Sequence, residues 1–287
     1  MAEERRSERS LRVAALPLDT RRDAPHRVLA QVLRGLEEAA EQRVRLVLLP
    51  EMWPTSFPDP GATALDIARR IEDDAAAWLV VEERATALDL WVGGSAFASN
   101  GTQKPFNRFR LVGPGGELMH YDKAHLFTPN AEPLSFTAGD LRPNVAIGPL
   151  ASDGNPVRIA AAICYDLRFG YHFQHLGAQG VELLMVPAQW AAVRASQWRA
   201  LVIGRAVELQ CFVVACNRTG SETIGRRELV LDYPGNALVV APSGEVLAEG
   251  DGSGRLLVAE LDLEQVDEAR RLVPVVRDAR RAAGEAS

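Results

Sequence analysis

A cysteine closes a run of small apolar residues at the point where the sequence turns polar. Residues 160–169 read Ala-Ala-Ala-Ile-Cys-Tyr-Asp-Leu-Arg-Phe, and Cys164 stands fifth. An isolated free cysteine is most often a small buried hydrophobe. A thiol at the end of a strand can instead be a nucleophile held out at a site. Both interpretations are open from this segment alone.

A carboxylate and an ammonium take similar positions after two other strand-like segments. Glu51 follows the apolar run at 44–50, and Lys123 follows the segment at 117–122. In open α/β sheets, ligands bind beyond the carboxyl ends of the strands. A carboxylate there could accept the proton of the Cys164 thiol, and a cation could stabilise the thiolate and then a developing oxyanion. Spacing alone does not establish that the three side chains meet.

Alternating apolar runs and helical patterns predict the elements that must position these residues. Strands are predicted at 11–18, 44–50, 90–97, 157–163, 182–188, 211–217, 236–243, 245–250 and 255–262. Helices are predicted at 25–42, 63–88, 170–179, 196–210 and 264–271, with Thr63 as an N-cap. Helices that bracket mixed sheets indicate a layered α/β architecture.

Two turns and one long irregular stretch connect these elements. An Asn-Gly turn is predicted within 99–103, and a hairpin around Pro-Gly-Gly within 105–123. Residues 124–155 carry no regular pattern, and a loop of that length is usually functional. No linker, composition break or internal repeat is evident, so we expect one domain.

Composition and charge exclude several classes of protein. The net charge of −6 gives no broad basic field, which argues against nucleic acid as a partner. No uncharged apolar stretch reaches 18 residues, so no membrane span is expected, and residues 1–10 lack the apolar core of a signal peptide. Three cysteines in 287 residues make no disulfide framework. We therefore expect a reduced, cytoplasmic protein.

Three segments, in order, carry a resemblance to a known family. They are LPEMWPTSF around Glu51, YDKAHLF around Lys123 and CYDLRF at Cys164. Further similar segments are FNRF (106–109), PAQW (187–190) and the stretch at 204–220. The chain resembles the nitrilase superfamily of carbon–nitrogen hydrolases over residues 11–277.

The resemblance implies a four-layer α-β-β-α sandwich and a Glu-Lys-Cys triad. Glu51 would be the general base, Lys123 would stabilise the tetrahedral intermediate, and Cys164 would attack the substrate carbon. The backbone N–H of Tyr165 would be the second oxyanion donor. Many members carry a second glutamate nine residues after the lysine, and Glu132 matches it; it would orient Lys123 and the substrate nitrogen or the attacking water.

The resemblance also has implications for cofactors, domain boundaries and oligomeric state. No cofactor and no metal is expected. Residues 1–10 are expected to be a disordered segment, 11–277 the hydrolase domain and 278–287 a tail. Members commonly form homodimers, and the helix at 196–210 together with the tail after Leu272 is the candidate interface.

Within the superfamily the segments look most like those of the ω-amidases, which cleave the distal amide of 2-oxo dicarboxylic acid monoamides. In that group the arginine four residues after the nucleophile holds a substrate carboxylate, and here it is Arg168. A guanidinium binds a carboxylate with two parallel hydrogen bonds. Trp53, Phe57 and Trp190 are candidate apolar walls of the pocket. Alternatively, Arg168 has only a structural role and pairs with the carboxylate of Asp166 or Glu132.

Two other functions stay open. The same triad would serve an N-carbamoyl amino acid hydrolase or a deaminated-glutathione amidase. The chain could also be a binding subunit that keeps the fold without activity.

Several residues have simpler interpretations or depart from the family. Cys211 and Cys216 lie in an apolar strand and are expected in the core. His172 and His175 could hold a metal, but a surface helix face is the preferred interpretation. Asn236, Ala237 and Ala241 differ from a common Gly-His-Ser or Gly-Asp-Ser pattern, and Gln189 replaces a common asparagine, which could alter the pocket wall.

Overall fold

The computed structural model describes residues 9–21, 24–59, 61–102, 104–224 and 229–282. The strands are β1 (Ser10–Ala15), β2 (Leu46–Leu48), β3 (Trp91–Ala98), β4 (Phe106–Gly113), β5 (Gly116–Asp122), β6 (Ala146–Gly148), β7 (Val157–Ala161), β8 (Leu183–Ala188), β9 (Phe212–Asn217), β10 (Thr219–Ile224), β11 (Leu229–Pro234), β12 (Leu238–Val240), β13 (Val246–Glu249) and β14 (Leu257–Asp262). The helices are α1 (Pro25–Glu41), α2 (Ala64–Ala87), α3 (Glu132–Ser135), α4 (Gly170–Ala178), α5 (Ala195–Leu209), α6 (Glu264–Leu272) and α7 (Val275–Ala282).

Twelve of the strands form two six-stranded mixed sheets with the same internal plan. The first has the order β14-β1-β2-β3-β4-β5, and the second has the order β13-β12-β9-β8-β7-β6. Each contains three parallel neighbours, β1-β2-β3 and β7-β8-β9, flanked by antiparallel strands. Long parallel connections need crossover helices, and α1, α2, α4 and α5 supply them.

Alternating residues of the first sheet enter two different cores. Val13 and Leu48 pack into the large core shared with the second sheet. Ala14 and Val47 pack instead against α1 and α2. Side chains on successive strand residues point to opposite faces, so apolar residues at every position mark a sheet covered on both sides. The second sheet packs on its outer face against α4 and α5, whose Phe173 and Trp198 belong to the shared core. The four-layer α-β-β-α sandwich is therefore confirmed.

Most predicted elements are present with shifted ends. Thr63 caps α2, because its side chain accepts from the backbone N–H of Asp66 and the Asp66 carboxylate accepts from the backbone N–H of Thr63. The Asn-Gly turn forms with Gly101 at φ +74°, although Gln103 lies outside the described residues. No helix within the described ranges has the length and apolar character needed to cross a membrane.

The structure adds elements that the patterns did not predict. The irregular segment contains the one-turn helix α3 and the edge strand β6, which pairs with β7. A separate hairpin, β10–β11, follows the second sheet. The chain ends differ too: β1 begins at Ser10, and α7 extends to Ala282, inside the predicted tail. Residues 1–8 and 283–287 lie outside the described residues.

A buried aspartate ties the loop after β2 to α2 and β3. The Thr55 hydroxyl lies 2.7 Å from Oδ1 of Asp74, and the backbone N–H of Phe97 donates to Oδ2 at 2.8 Å. Asp74 is fully buried. Burial disfavours its charged form and raises the pKa of Asp74 to about 7, although these two hydrogen bonds oppose the shift.

Asp74 should make the folded state lose stability as the pH rises. Its pKa when folded lies above its unfolded value, so the unfolding free energy should fall between about pH 4 and pH 7. One pKa unit corresponds to about 1.4 kcal/mol, so the effect should be at most roughly 4 kcal/mol. Asp74→Asn should flatten the pH dependence of the unfolding free energy measured with urea. Asp73→Asn, which changes an exposed neighbouring residue, should leave that pH dependence unchanged. An unaltered slope in Asp74→Asn would contradict this role.

Candidate active site

A cavity of about 190 Å³ opens among segments that follow several strands. Its lining includes Glu51, Lys123, Glu132 and Cys164, which the structure therefore brings together. Glu51 lies three residues after β2, Lys123 directly follows β5, and Cys164 lies three residues after β7. The carboxyl ends of strands from both sheets thus meet at one place.

Cys164 occupies a backbone conformation that is unusual for a residue with a side chain. Its φ is +47°, and it begins a 3₁₀ turn over Cys164–Arg168. The left-handed region costs roughly 1–3 kcal/mol for such a residue and persists where the surroundings enforce it. Asp166 supplies that enforcement: its Oδ2 accepts from the backbone N–H of Ile163 at 2.9 Å.

Asp166 also joins the turn at Cys164 to the segment that carries Lys123. Its Oδ1 accepts from the backbone N–H of His125 at 2.9 Å and lies 2.7 Å from His125 Nδ1. Its Oδ2 accepts from the Tyr121 hydroxyl at 2.7 Å. The nucleophile turn and the lysine segment are therefore positioned by one buried carboxylate.

His172 belongs to the same network, which corrects its expected place on a surface helix face. The side chain is fully buried, and its Nε2 lies 3.1 Å from the Tyr121 hydroxyl. Burial lowers the pKa of His172 below its usual range, despite the nearby Asp166 carboxylate. His175 on the same helix is exposed, as expected. No cluster of histidine, cysteine and acidic residues suited to a metal occurs among the described residues.

The centre of the site is one buried ammonium between two buried carboxylates. Lys123 Nζ lies 2.8 Å from Glu51 Oε1 and 2.8 Å from Glu132 Oε2. All three side chains are about 1% exposed. Gly139 lies against this segment, and a Cβ there would stand 2.2 Å from the carbonyl oxygen of Asp122, so only glycine fits.

Burial and the two carboxylates set the protonation states. Burial lowers the pKa of Lys123, but attraction by Glu132 and Glu51 outweighs it and raises the pKa above its ordinary value. Burial, together with repulsion from Glu51, raises the pKa of Glu132 against the attraction of Lys123. Lys123 is therefore a permanent cation that cannot accept a proton.

The Cys164 thiol is neutral in the resting site, and the Glu51 carboxylate lies close enough to act as its base. Burial, followed by repulsion from the Glu51 carboxylate, raises the pKa of Cys164 well above its ordinary value, against the lowering effect of Lys123. The Glu51 carboxylate and the backbone N–H of Gln189 both lie close enough to the thiol to affect its pKa, which Glu51 raises and the N–H lowers. This arrangement favours attack by the sulfur with simultaneous proton transfer to Glu51.

Two residues outside the predicted set hold the carboxylates. Asn107 Nδ2 lies 2.9 Å from Glu51 Oε1 and 3.4 Å from Glu132 Oε1. The backbone N–H of Gln189 donates to Glu51 Oε2 at 3.0 Å, and its side-chain amide donates to the Glu51 carbonyl at 2.9 Å. Both residues lie in segments that resemble the family, FNRF and PAQW, which is the signal that could have identified them.

The hairpin β10–β11 forms part of the cavity wall through Leu231 and Tyr233. The fully buried Arg218, just before it, lies with its guanidinium 4.3 Å from the centre of the Tyr233 ring and binds Gln189 Oε1 at 3.0 Å. It also pairs with Glu222 at 3.0 Å. The hairpin is thus fixed to the residue that supports Glu51.

The structure places most of the predicted substrate-contacting residues on the cavity. Phe57, Tyr165, Trp190 and Arg168 line it. Trp53 instead lies fully buried against Trp78 of α2, with ring centres 5.5 Å apart, which corrects its expected place as a wall.

The residues that depart from the family lie near α5. The backbone carbonyl of Asn236 accepts from the Trp198 indole at 2.8 Å, while Ala237 and Ala241 are fully buried in the shared core. Cys211 and Cys216 are buried there too, which confirms their expected place.

Two arginines line the cavity, of which the sequence indicated one. Arg168 donates to Gln197 Oε1 at 2.6 Å and lies 4.8 Å from the Trp190 ring centre, so it pairs with neither Asp166 nor Glu132 in the described structure. Arg194 lies 5.6 Å from the centre of the Phe127 ring. Together they give the cavity a cationic region.

Comparisons with known proteins agree with the fold and the family resemblance. The family model described as carbon-nitrogen hydrolase matches residues 12–271. A 2-oxoglutaramate amidase of Bacillus subtilis is 31% identical, with 85% of this chain and 88% of that protein covered. A deaminated glutathione amidase of Synechocystis is 30% identical, with coverages of 86% and 91%. The crystal structure of a carbon-nitrogen hydrolase from Helicobacter pylori shares the fold, with a TM-score of 0.83, 22% identity and coverages of 94% and 95%.

Removing the buried ammonium should destabilise the fold. Lys123→Met leaves two buried carboxylates without a counter-ion and should lower the unfolding free energy by about 3–5 kcal/mol at neutral pH. Protonation of Glu132, whose pKa burial raises, should reduce this loss at pH 5, and adding Glu132→Gln should recover part of it. Chemical unfolding at both pH values measures the effect.

The control for this prediction is the only other lysine in the sequence, Lys104, which is exposed. Lys104→Met should change stability by less than about 0.5 kcal/mol. Equal effects of the two substitutions would mean that the ammonium does not stabilise the buried carboxylates.

Proposed function

The chain belongs to the carbon–nitrogen hydrolase family, and on that premise we propose that it releases ammonia from a small, carboxylate-bearing amide through a thioester on Cys164. The proposed substrates are ω-amides such as 2-oxoglutaramate and 2-oxosuccinamate, and the product is the 2-oxo acid. The observation that carries the proposal is the buried Glu51–Lys123–Glu132 group beside Cys164 in a cavity that also contains two arginines.

Acylation follows from the protonation states of the site. The Cys164 sulfur attacks the amide carbon as its proton passes to the Glu51 carboxylate. Lys123 and the backbone N–H of Tyr165 stabilise the negative charge that develops on the carbonyl oxygen. Glu51 then returns the proton to the nitrogen as the carbon–nitrogen bond breaks, and ammonia leaves.

Deacylation uses the same groups in the opposite sense. Water attacks the thioester carbon and gives its proton to Glu51, and the carbon–sulfur bond breaks to restore the thiol and release the acid. Glu132, bonded to Lys123 and to the backbone N–H of Phe127, orients the ammonium and the substrate nitrogen or the attacking water. These steps use side chains, the backbone N–H of Tyr165 and water, and they require no metal or cofactor.

The cationic region supports a substrate with a carboxylate. Hydrogen bonds to charged groups contribute more free energy than those between neutral groups. A guanidinium can also bind a carboxylate through two parallel hydrogen bonds. The relative from Bacillus subtilis is named a 2-oxoglutaramate amidase, and 2-oxoglutaramate is an amide of this kind.

A second candidate function is favoured by another relative. The protein from Synechocystis is named a deaminated glutathione amidase, and its substrate also carries carboxylates. An N-carbamoyl amino acid hydrolase would use the same triad but release carbon dioxide together with ammonia. A binding subunit without activity would not need a thiol and a carboxylate together at the cavity.

Assembly and location belong to the same proposal. A homodimer through α5 and the segment after Leu272 is supported by exposed apolar side chains there, among them Val207, Leu272 and Val275. A reducing cytoplasm is supported by three free cysteines, all buried.

Cys164→Ala should abolish turnover and leave the fold unchanged, because the variant lacks the sulfur that forms the thioester. Ammonia release from succinamate measures activity, and the melting temperature measures the fold. Intact-protein mass spectrometry should detect an acyl adduct in the wild type and none in the variant.

Cys211→Ala is the matched control, because Cys211 is also a buried free cysteine but lies in the core and does not line the cavity. It should keep its activity and its adduct. Appreciable turnover by Cys164→Ala would exclude the covalent mechanism.

A substrate panel should separate the candidate functions. A carboxylate contact of about 1.5–3 kcal/mol gives roughly a ten- to hundredfold higher kcat/KM for succinamate than for butyramide, which is uncharged. The panel adds 2-oxoglutaramate, deaminated glutathione and an N-carbamoyl amino acid, with ammonia, carbon dioxide and the 2-oxo acid all measured, because deaminated glutathione would release an amine in place of ammonia. Equal values for succinamate and butyramide would leave only a generic amidase, and carbon dioxide release would favour the carbamoyl substrate.

A further inference from the structure

Arg194 stands out among the charged residues of the cavity because no described residue neutralises its charge. Its side chain is half-buried and lines the cavity. Within the described ranges no carboxylate pairs with it and no acceptor binds its guanidinium. Other arginines shielded from solvent have acidic partners, such as the partly buried Arg108 with Asp122 at 2.6 Å and the fully buried Arg218 with Glu222 at 3.0 Å. A half-buried guanidinium without a counter-ion is suited to bind an anion that enters the cavity.

Backbone and ring contacts hold Arg194 in place. It is the last residue of the 3₁₀ turn Ala192–Arg194, directly before α5, and its carbonyl accepts from the Trp190 indole N–H at 2.9 Å. Its guanidinium faces Phe127, whose own backbone N–H donates to Glu132 at 2.6 Å. The cation is therefore fixed relative to the catalytic carboxylates without being bonded to them.

Arg168 also has no carboxylate partner and also lies against an aromatic ring, that of Trp190, but it differs in exposure and in hydrogen bonding. It is exposed, and its guanidinium already donates to Gln197 at 2.6 Å. An ion pair at an exposed position is screened by water and contributes between nothing and about 1 kcal/mol, which is at most about fivefold in affinity. A half-buried guanidinium that makes no other hydrogen bond contributes more to the affinity for a carboxylate, because less water competes for its N–H groups.

We infer that Arg194 is the principal carboxylate-binding residue of the cavity, and that it orients the substrate so that the amide reaches Cys164. The inference rests on the proposed function and assigns its specificity to a residue that the sequence segments did not indicate. Lys123, which also lines the cavity, is already shared by Glu51 and Glu132. These two carboxylates repel a substrate carboxylate, which Arg194 attracts, whereas the neutral amide suffers no such repulsion.

The test compares Arg194→Met with Arg168→Met in the full-length enzyme. The readout is the ratio of kcat/KM for succinamate to kcat/KM for butyramide. Arg194→Met should lower this ratio roughly ten- to hundredfold, and Arg168→Met should lower it by no more than about fivefold. Arg194→Lys should recover only part of the ratio, since an ammonium keeps the charge but lacks the planar fork.

Arg199→Met is the matched control, because Arg199 lies on α5, is exposed, and pairs with Glu249 outside the cavity. It should leave the ratio unchanged. A ratio preserved in Arg194→Met, or an equal loss for both substrates, would overturn the inference while the proposed function stands. A wild-type enzyme without preference for succinamate would instead overturn the carboxylate-bearing substrate class itself, and with it the inference.

Discussion

The site depends on one ammonium buried between two carboxylates. Removing three charges from water is costly, and the attraction between them offsets that cost only when the geometry is good and the remaining oxygens are hydrogen-bonded. Asn107 and the backbone N–H groups of Gln189 and Phe127 supply those bonds. Because each donor comes from a different segment, the charge group can form only when both sheets and the connecting loops are in place.

The same requirement explains why so much polar structure surrounds a small cavity. Asp166 joins the turn at Cys164 to the segment that carries Lys123, and Asp74 joins the loop after Glu51 to α2 and β3. Each buried carboxylate bonds to backbone N–H groups, so it fixes the course of the main chain and not only a side chain. The left-handed φ of Cys164 is maintained by this bonding. Precise placement of the thiol is thus a property of the whole sandwich.

The sequence predicted the elements and the central residues because both leave local signals. Strands covered on two faces give continuous apolar runs, and Glu51, Lys123, Glu132 and Cys164 lie in or at a fixed offset from family-like segments. The structure brings these four together, while their catalytic roles remain predictions. Contacts made across the fold leave no such signal. Trp53 lies near Glu51 in sequence, but its side chain packs against Trp78 of α2. The sequence predicts His172 on the surface, whereas in the fold it lies beside Tyr121. Arg194 and the hairpin that carries Tyr233 reach the cavity only through the path of the chain between elements.

The sharing of Lys123 by two carboxyl groups bears on how the reaction ends. In the proposed reaction an uncharged amide becomes a second carboxylate at the place where Glu51 and Glu132 already share the only buried ammonium of the described residues. The newly formed acid therefore meets repulsion that its parent amide did not. This charge imbalance favours departure of the product and opposes recapture of ammonia. A site arranged to stabilise one developing oxyanion thereby also limits inhibition by its own product.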